Sequence, residues 1–130
     1  MASDKALSYF LDINCPVQKI TNAAPSSSAS LEEAQAWAAS AQAAAEKAQS
    51  LMADPGAKWP EDIAPDIQKF SEMYYPPTID YFKAIQQEKT MTGAKSIPRP
   101  TYSADGVAVQ DALSKKLGAD LGNTSSCDGR

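Results

Sequence analysis

The chain has 130 residues, among them 23 Ala, 14 Ser, 9 Pro, 2 Cys and no His. Without His, Ser-His-Asp and Cys-His catalysis, a histidine metal site and an imidazole pH switch are excluded, and two Cys alone complete neither a four-cysteine zinc site nor an iron–sulfur cluster. The net charge is −4, only Arg99 and Arg130 are Arg, and Lys115-Lys116 is the one basic pair, so the basic stripe that nucleic-acid binding draws on is missing.

The first helix is expected to start after Ser3 as N-cap, with Asp4 favouring the positive helix end. Ala6, Leu7, Phe10 and Leu11 recur at one-face spacing. Pro16 interrupts it by removing an amide and crowding the preceding turn, and Val17 and Ile20 extend the same face beyond a kink. Asn22 to Ser30 reads as a loop. Ser30-Leu-Glu-Glu33 is a capping box, and Leu31, Ala34, Ala38, Ala41, Ala45, Ala48 and Met52 behind it follow a 3,4,3,4 spacing. That is a heptad-type seam. Trp37, Ala44 and Leu51 widen it, and Gln35, Gln42 and Gln49 keep the same period on an adjacent polar stripe. The helix should stop near Ala53, before the breaker Asp54-Pro-Gly56. Small side chains along the seam let a neighbouring helix approach closely, so the larger core residues must come from facing helices.

Trp59-Pro-Glu-Asp62 is expected to open the next helix, with Pro60 at its first position and Ile63, Ile67, Phe70 and Tyr74 on one face. Pro76-Pro77 is the strongest break in this half. One helix should end near Tyr75 and another run from near Pro77 to about Met91; a single kinked helix is the competing reading. Thr92 to Tyr102 looks irregular, and Ile97-Pro-Arg-Pro100 favours an extended, polyproline-like path, suited to a connector or to a recognition peptide. Ser103 caps a last helix from Ala104 to about Leu117, with Gly118 as its C-terminal cap. A polar tail follows, from about residue 119 to residue 130. No run alternates as a strand does. Residues 1–130 therefore read as a single all-α domain, an up-and-down bundle of four or five helices with an Ala-rich close-packing seam.

Cys15 and Cys127 lie near opposite ends, and Cys127 sits in a tail too polar to hold itself down. A disulfide between them would close nearly the whole chain, a loop for which chain entropy allows on the order of 4.7 kcal/mol, and would imply an oxidising compartment. The alternative is two free thiols in a cytosolic protein. No stretch approaches the roughly 18 apolar residues that span a bilayer. Met1-Ala-Ser-Asp-Lys5 lacks the basic start of a signal peptide, which leaves a mature exported form without its signal, or a cytoplasmic protein.

The six Gly never cluster into a phosphate loop. Glu32-Glu33 and Glu61-Asp62 sit at expected helix starts, where the dipole accounts for them. Asp62 and Asp66 stand at i,i+4 spacing and could share a cation, but a calcium site needs six or more oxygens, so no metal site and no cofactor is expected. Aromatic residues crowd around Pro76-Pro77. Tyr74, Tyr75, Tyr81 and Tyr102 are the candidate lining of a crevice between helices, against the alternative that they pack the core edge.

Tyr9-Phe-Leu-Asp-Ile-Asn-Cys-Pro16, the Ala-rich second helix and Trp59-Pro60 together resemble small exported helical proteins and lipoproteins of actinobacteria, with Phe10 where Leu is usual. The resemblance implies a mature envelope or secreted domain, a late Cys closing a disulfide, and no catalytic residue. Three functions follow as expectations: a non-catalytic exported domain binding a protein partner or a small apolar ligand, a scaffolding module that self-associates, or an enzyme using Tyr and carboxylates in an inter-helix cleft.

Overall fold

The computed structural model describes the backbone of residues 1–130 and every side chain but that of residue 124. Five α-helices form: α1 (Ser3–Asn22), α2 (Leu31–Ala53), α3 (Ala64–Gln87), α4 (Met91–Ser96) and α5 (Ala104–Leu117), with 3-10 turns at Pro55–Ala57 and Thr124–Cys127. Among the described residues there is no strand. The all-α bundle expected from helical periodicity is the fold observed.

The capping chemistry places α2 where the sequence puts it. Ser30 Oγ accepts the Glu33 amide at 3.1 Å, and the helix stops at Ala53. Ala34, Ala38, Ala41, Ala45, Ala48 and Met52 are no more than 6 % exposed. The methyl-sized Ala positions among them let α2 lie close against both α1 and α3. Large side chains from α1 and α3 then meet beside it. Phe10 and Phe70 cross edge-on with centroids 5.2 Å apart, and the Tyr75 hydroxyl donates to Asn14 Oδ1 at 2.8 Å in the core. Leu113 of α5 and Leu121 of the tail complete this cluster. A smaller one, with Ala38, Ala41, Phe82, Ile85 and Ala94 at its centre, fills the other end of α2.

The Gln stripe flanking the seam bonds α2 to α3. Gln35 Nε2 donates to the carbonyls of Gln86 (3.1 Å) and Glu88 (2.7 Å), where the end of α3 leaves carbonyls without helical partners. Gln86 Nε2 donates to Gln42 Oε1 at 2.6 Å.

Several expected boundaries move. Ser3 is the first residue of α1 rather than its cap. Pro16 lies inside α1, which runs on to Asn22; the carbonyl it releases belongs to Asp12 by the i→i−4 rule, and both residues are exposed, so water can serve it. Pro60 precedes α3, its carbonyl accepting the amides of Ile63 and Ala64 at 2.9 and 2.8 Å in a separate turn. Pro65, at the start of α3, takes the place where a missing amide costs least. Pro76 and Pro77 do not divide the chain either. α3 continues through them and ends at Gln87, because Phe70, Ser71 and Tyr75 before them and Thr78, Ile79 and Phe82 after them are all buried. Packing on both sides outweighs a helix penalty of about 3 kcal/mol per interior proline. Thr90 Oγ1 accepts the Gly93 amide at 3.0 Å and caps α4, which carries helix into the segment from Thr92 expected to be irregular. Ser103 and Gly118 bound α5 as expected, Gly118 with φ +79°.

Cys15 and Cys127 are paired, with their Cα atoms 5.5 Å apart across a sequence separation of 112. The tail is not anchored by sulfur alone. Leu121 is 5 % exposed, its amide donates to Ser114 Oγ at 3.1 Å, and Arg130 forms an ion pair with Asp12 of α1. Among the described residues no helix is long and apolar enough to cross a membrane.

Two outcomes test this architecture. Ala41→Leu, at a site with no exposed surface, should destabilise the fold by about 1–3 kcal/mol in urea denaturation, whereas Ala43→Leu on the exposed side of α2 should change it by less than about 0.5 kcal/mol. Replacing both Cys15 and Cys127 by Ser should cost about 2–5 kcal/mol, read as a lower denaturation midpoint that matches the reduced wild type.

Candidate functional site

On α3, Tyr74, Thr78 and Tyr81 follow i, i+4, i+7 spacing and share one face, while Tyr75 is turned by about 100° from Tyr74. The structure separates the four candidate tyrosines accordingly. Tyr75 has no exposed surface; bonded to Asn14, it is a core residue. Tyr74, Tyr81 and Tyr102 come together at a crevice.

Tyr102 reaches it from the chain between α4 and α5. Its ring stacks on Tyr74 at 5.2 Å and 17°, and Tyr74 stacks in turn on Phe70 at 5.0 Å and 13°. Thr78 Oγ1 donates to the Tyr74 carbonyl at 2.8 Å. Its proton is thereby committed, so the Tyr102 hydroxyl is the donor in the 2.9 Å bond to Thr78 Oγ1. Burial pushes the Tyr74 phenol well above its ordinary range, with the neighbouring Tyr102 adding to the effect. Burial also raises Tyr75, helped by Tyr74. Tyr102 is raised by burial.

The crevice holds about 340 Å³. It is lined by Thr21 and Asn22 of α1 and Ala24 just beyond it, by Trp37 of α2, by Tyr74, Thr78, Tyr81 and Phe82 of α3, and by Arg99, Pro100 and Tyr102 of the connector. Trp37 is locked: its indole N–H donates to the Ile20 carbonyl at 2.7 Å, and its ring meets Phe82 edge-on at 5.3 Å. The sequence places Trp37 only in the widened seam, and Arg99 only in a connector or recognition peptide. The signal for Trp37 was available in its size, since an indole in a register otherwise filled by Ala44 and Leu51 cannot be buried against a closely packed neighbour. No sequence signal placed Arg99, because its position depends on where the connector lies.

Carboxylates do not converge here. The crevice lining contains no Asp or Glu, so the pairing of Tyr with a carboxylate that an acid–base enzyme would need is not assembled at this site. Lys116 occupies the position between Asp62 and Asp66, donating to the Asp62 carbonyl at 2.9 Å and to Asp66 Oδ2 at 2.6 Å. Among the described residues no group of three or more metal-ligating side chains gathers. A groove of about 540 Å³ at the far end of α2, bordered by Met52, Asp54, Lys58, Trp59, Ser71 and Glu72, is larger but mixes both charge signs and has one aromatic wall. The buried Trp59 indole N–H has no partner. The aromatic crevice is the better candidate, because ligand sites combine apolar and aromatic walls with a few polar groups.

No protein-family model, curated protein or solved structure matches the chain.

The buried phenols set an alkaline limit on stability. Both Tyr74 and Tyr75 are held neutral in the fold but ionise near pH 10 once unfolded. Their stabilising contribution is therefore complete below about pH 10 and is lost as pH rises above it, because the unfolded chain then releases protons that the folded chain retains. Denaturant titrations should show stability falling above about pH 10, with phenolate absorbance of these two rings appearing together with unfolding. Tyr75→Phe should blunt the fall while lowering neutral-pH stability by about 1–3 kcal/mol, since Asn14 Oδ1 loses its donor.

Proposed function

We propose that the chain is a non-catalytic binding domain of an oxidising, extracytoplasmic compartment, and that the crevice between the end of α1, α3 and the Ile97–Tyr102 connector is its ligand site. The observation that carries this reading is the convergence of Trp37, Tyr74, Tyr81, Phe82 and Tyr102 on one opening of about 340 Å³, within the lower size range of small-molecule sites. The compartment is supported by the Cys15–Cys127 pair, since disulfides persist mainly where the surroundings are oxidising. The resemblance of Tyr9–Pro16 and Trp59-Pro60 to exported actinobacterial helical proteins agrees with it.

A small ligand suits the surface better than a protein partner. The large hydrophobic residues left exposed are Tyr102 (37 %) and Val107 (50 %), which do not make the extended apolar patch of a protein interface. The Ala seam, the surface through which a scaffolding module would self-associate, is buried against α1 and α3.

Indole serves as a neutral aromatic test ligand. In two-dimensional NMR it should perturb Trp37, Tyr81 and Tyr102, and Tyr81→Ala should weaken its binding about tenfold, the worth of roughly 1.4 kcal/mol of lost ring contact, while Val107→Ala leaves it unchanged. Perturbation confined to the Met52–Glu72 groove, or none, would overturn the assignment.

A further inference from the structure

Arg99 stands at the rim of the crevice, and its guanidinium forms no ion pair or hydrogen bond among the described residues. Three other basic side chains are engaged: Lys116 with Asp66, Arg130 with Asp12, and Lys95 with the Ser27 carbonyl at 2.7 Å. The backbone that carries Arg99 is restrained from both sides. Pro98 and Pro100 flank it, each fixing its own φ, and Pro100 also restricts Arg99 to extended geometry. Before the prolines, Ile97 packs against the cluster around Ala38, Phe82 and Ile85. After them, Tyr102 is pinned by its stack on Tyr74 and its bond to Thr78. A long cationic side chain is thus presented from a fixed point beside aromatic walls, with no acidic residue in the lining to neutralise it, although the chain as a whole carries a charge of −4.

Two further polar groups at the opening have no side-chain hydrogen bond among the described residues: the Asn22 amide and the Tyr81 hydroxyl. Their chemistry is that of donors to an oxyanion as well as acceptors. The Thr21 hydroxyl, by contrast, is spent on the Val17 carbonyl at 2.8 Å, and the indole N–H of Trp37 on Ile20. The Trp37 ring is therefore apolar toward a ligand, while Arg99, Asn22 and Tyr81 supply free polar groups to the lining.

We infer that the crevice takes a planar aromatic acid: a ring system held among Trp37, Tyr81 and Tyr102, with a short side chain that carries its carboxylate out to Arg99. This rests on the crevice being the ligand site. The planar fork of the guanidinium matches a carboxylate with two parallel N–H···O bonds. An exposed ion pair alone contributes little, so ring burial supplies most of the affinity, and Arg99 supplies the preference for an acid over a neutral analogue.

The test compares indole-3-propionate with its uncharged analogue indole-3-propionamide by titration calorimetry on the oxidised full chain. The acid should bind about two- to fivefold more tightly than the amide, with the difference shrinking as salt is raised. Arg99→Gln, at an exposed position that leaves the thermal unfolding curve unchanged, should weaken the acid to the level of the amide and leave the amide unaffected. Tyr81→Ala should weaken both. Equal binding of the two compounds would overturn the assignment of an anionic ligand, and a preference for the acid that survives Arg99→Gln would overturn the role of Arg99; in both cases the crevice stands. Failure of both compounds to bind would overturn the crevice reading and this inference with it.

Discussion

The close approach of α2 to two neighbours at once depends on side chains no larger than a methyl group at Ala38, Ala41 and Ala45, none of which has any exposed surface. A seam this narrow brings backbones together but fills little volume. The core must then be filled from α1 and α3, whose Phe10, Phe70 and Tyr75 meet beside the seam. Tight packing of this kind tolerates neither voids nor extra methylenes. The buried Tyr75–Asn14 bond belongs to the same arrangement: a phenol drawn this deep needs a partner for its hydroxyl, and Asn14 is 3 % exposed beside it.

The crevice lies where that arrangement ends. α1 stops at Asn22, whereas α3 runs on alongside α2 to Gln87. The face of α3 bearing Tyr74, Thr78 and Tyr81 is therefore covered only in part by α1, and the Ile97–Tyr102 connector closes the remainder from the other side. Trp37 ties the end of α1 to α2 through the Ile20 carbonyl. The opening is bounded by one helix end and one proline-bracketed connector, both held by side-chain bonds.

The covalent clasp and the prolines act on the chain in different ways. The Cys15–Cys127 pair restricts the unfolded ensemble, while Leu121 and Arg130 hold the tail in the folded state. The prolines at 16, 76 and 77 withdraw helical hydrogen bonds, yet both helices pass through them with buried residues on either side. Local propensity is a weak prior, and tertiary burial overrides it when the apolar face is continuous.

Much of the fold was legible in the sequence. The limits of α2, the caps of α5 and the all-helical class follow from local chemistry: a Ser hydroxyl at a helix start, a left-handed Gly at a helix end and a strict 3,4 spacing. These signals lie within a turn or two of the residues they govern. The course of α3 was not legible, because whether Pro76-Pro77 breaks a helix depends on what faces the residues either side of it. For the same reason the four candidate tyrosines separated only in three dimensions. Adjacent residues on a helix point about 100° apart, so Tyr74 faces the crevice and Tyr75 the core. Arg99 and Trp37, distant in sequence, became neighbours of one opening through the path of a connector. The sequence by itself determined the all-helical class, α2 with its small-residue seam and the caps of α5; the tertiary structure alone decided the course of α3 and which helix faces remain uncovered, because exposure depends on what the rest of the chain packs against them.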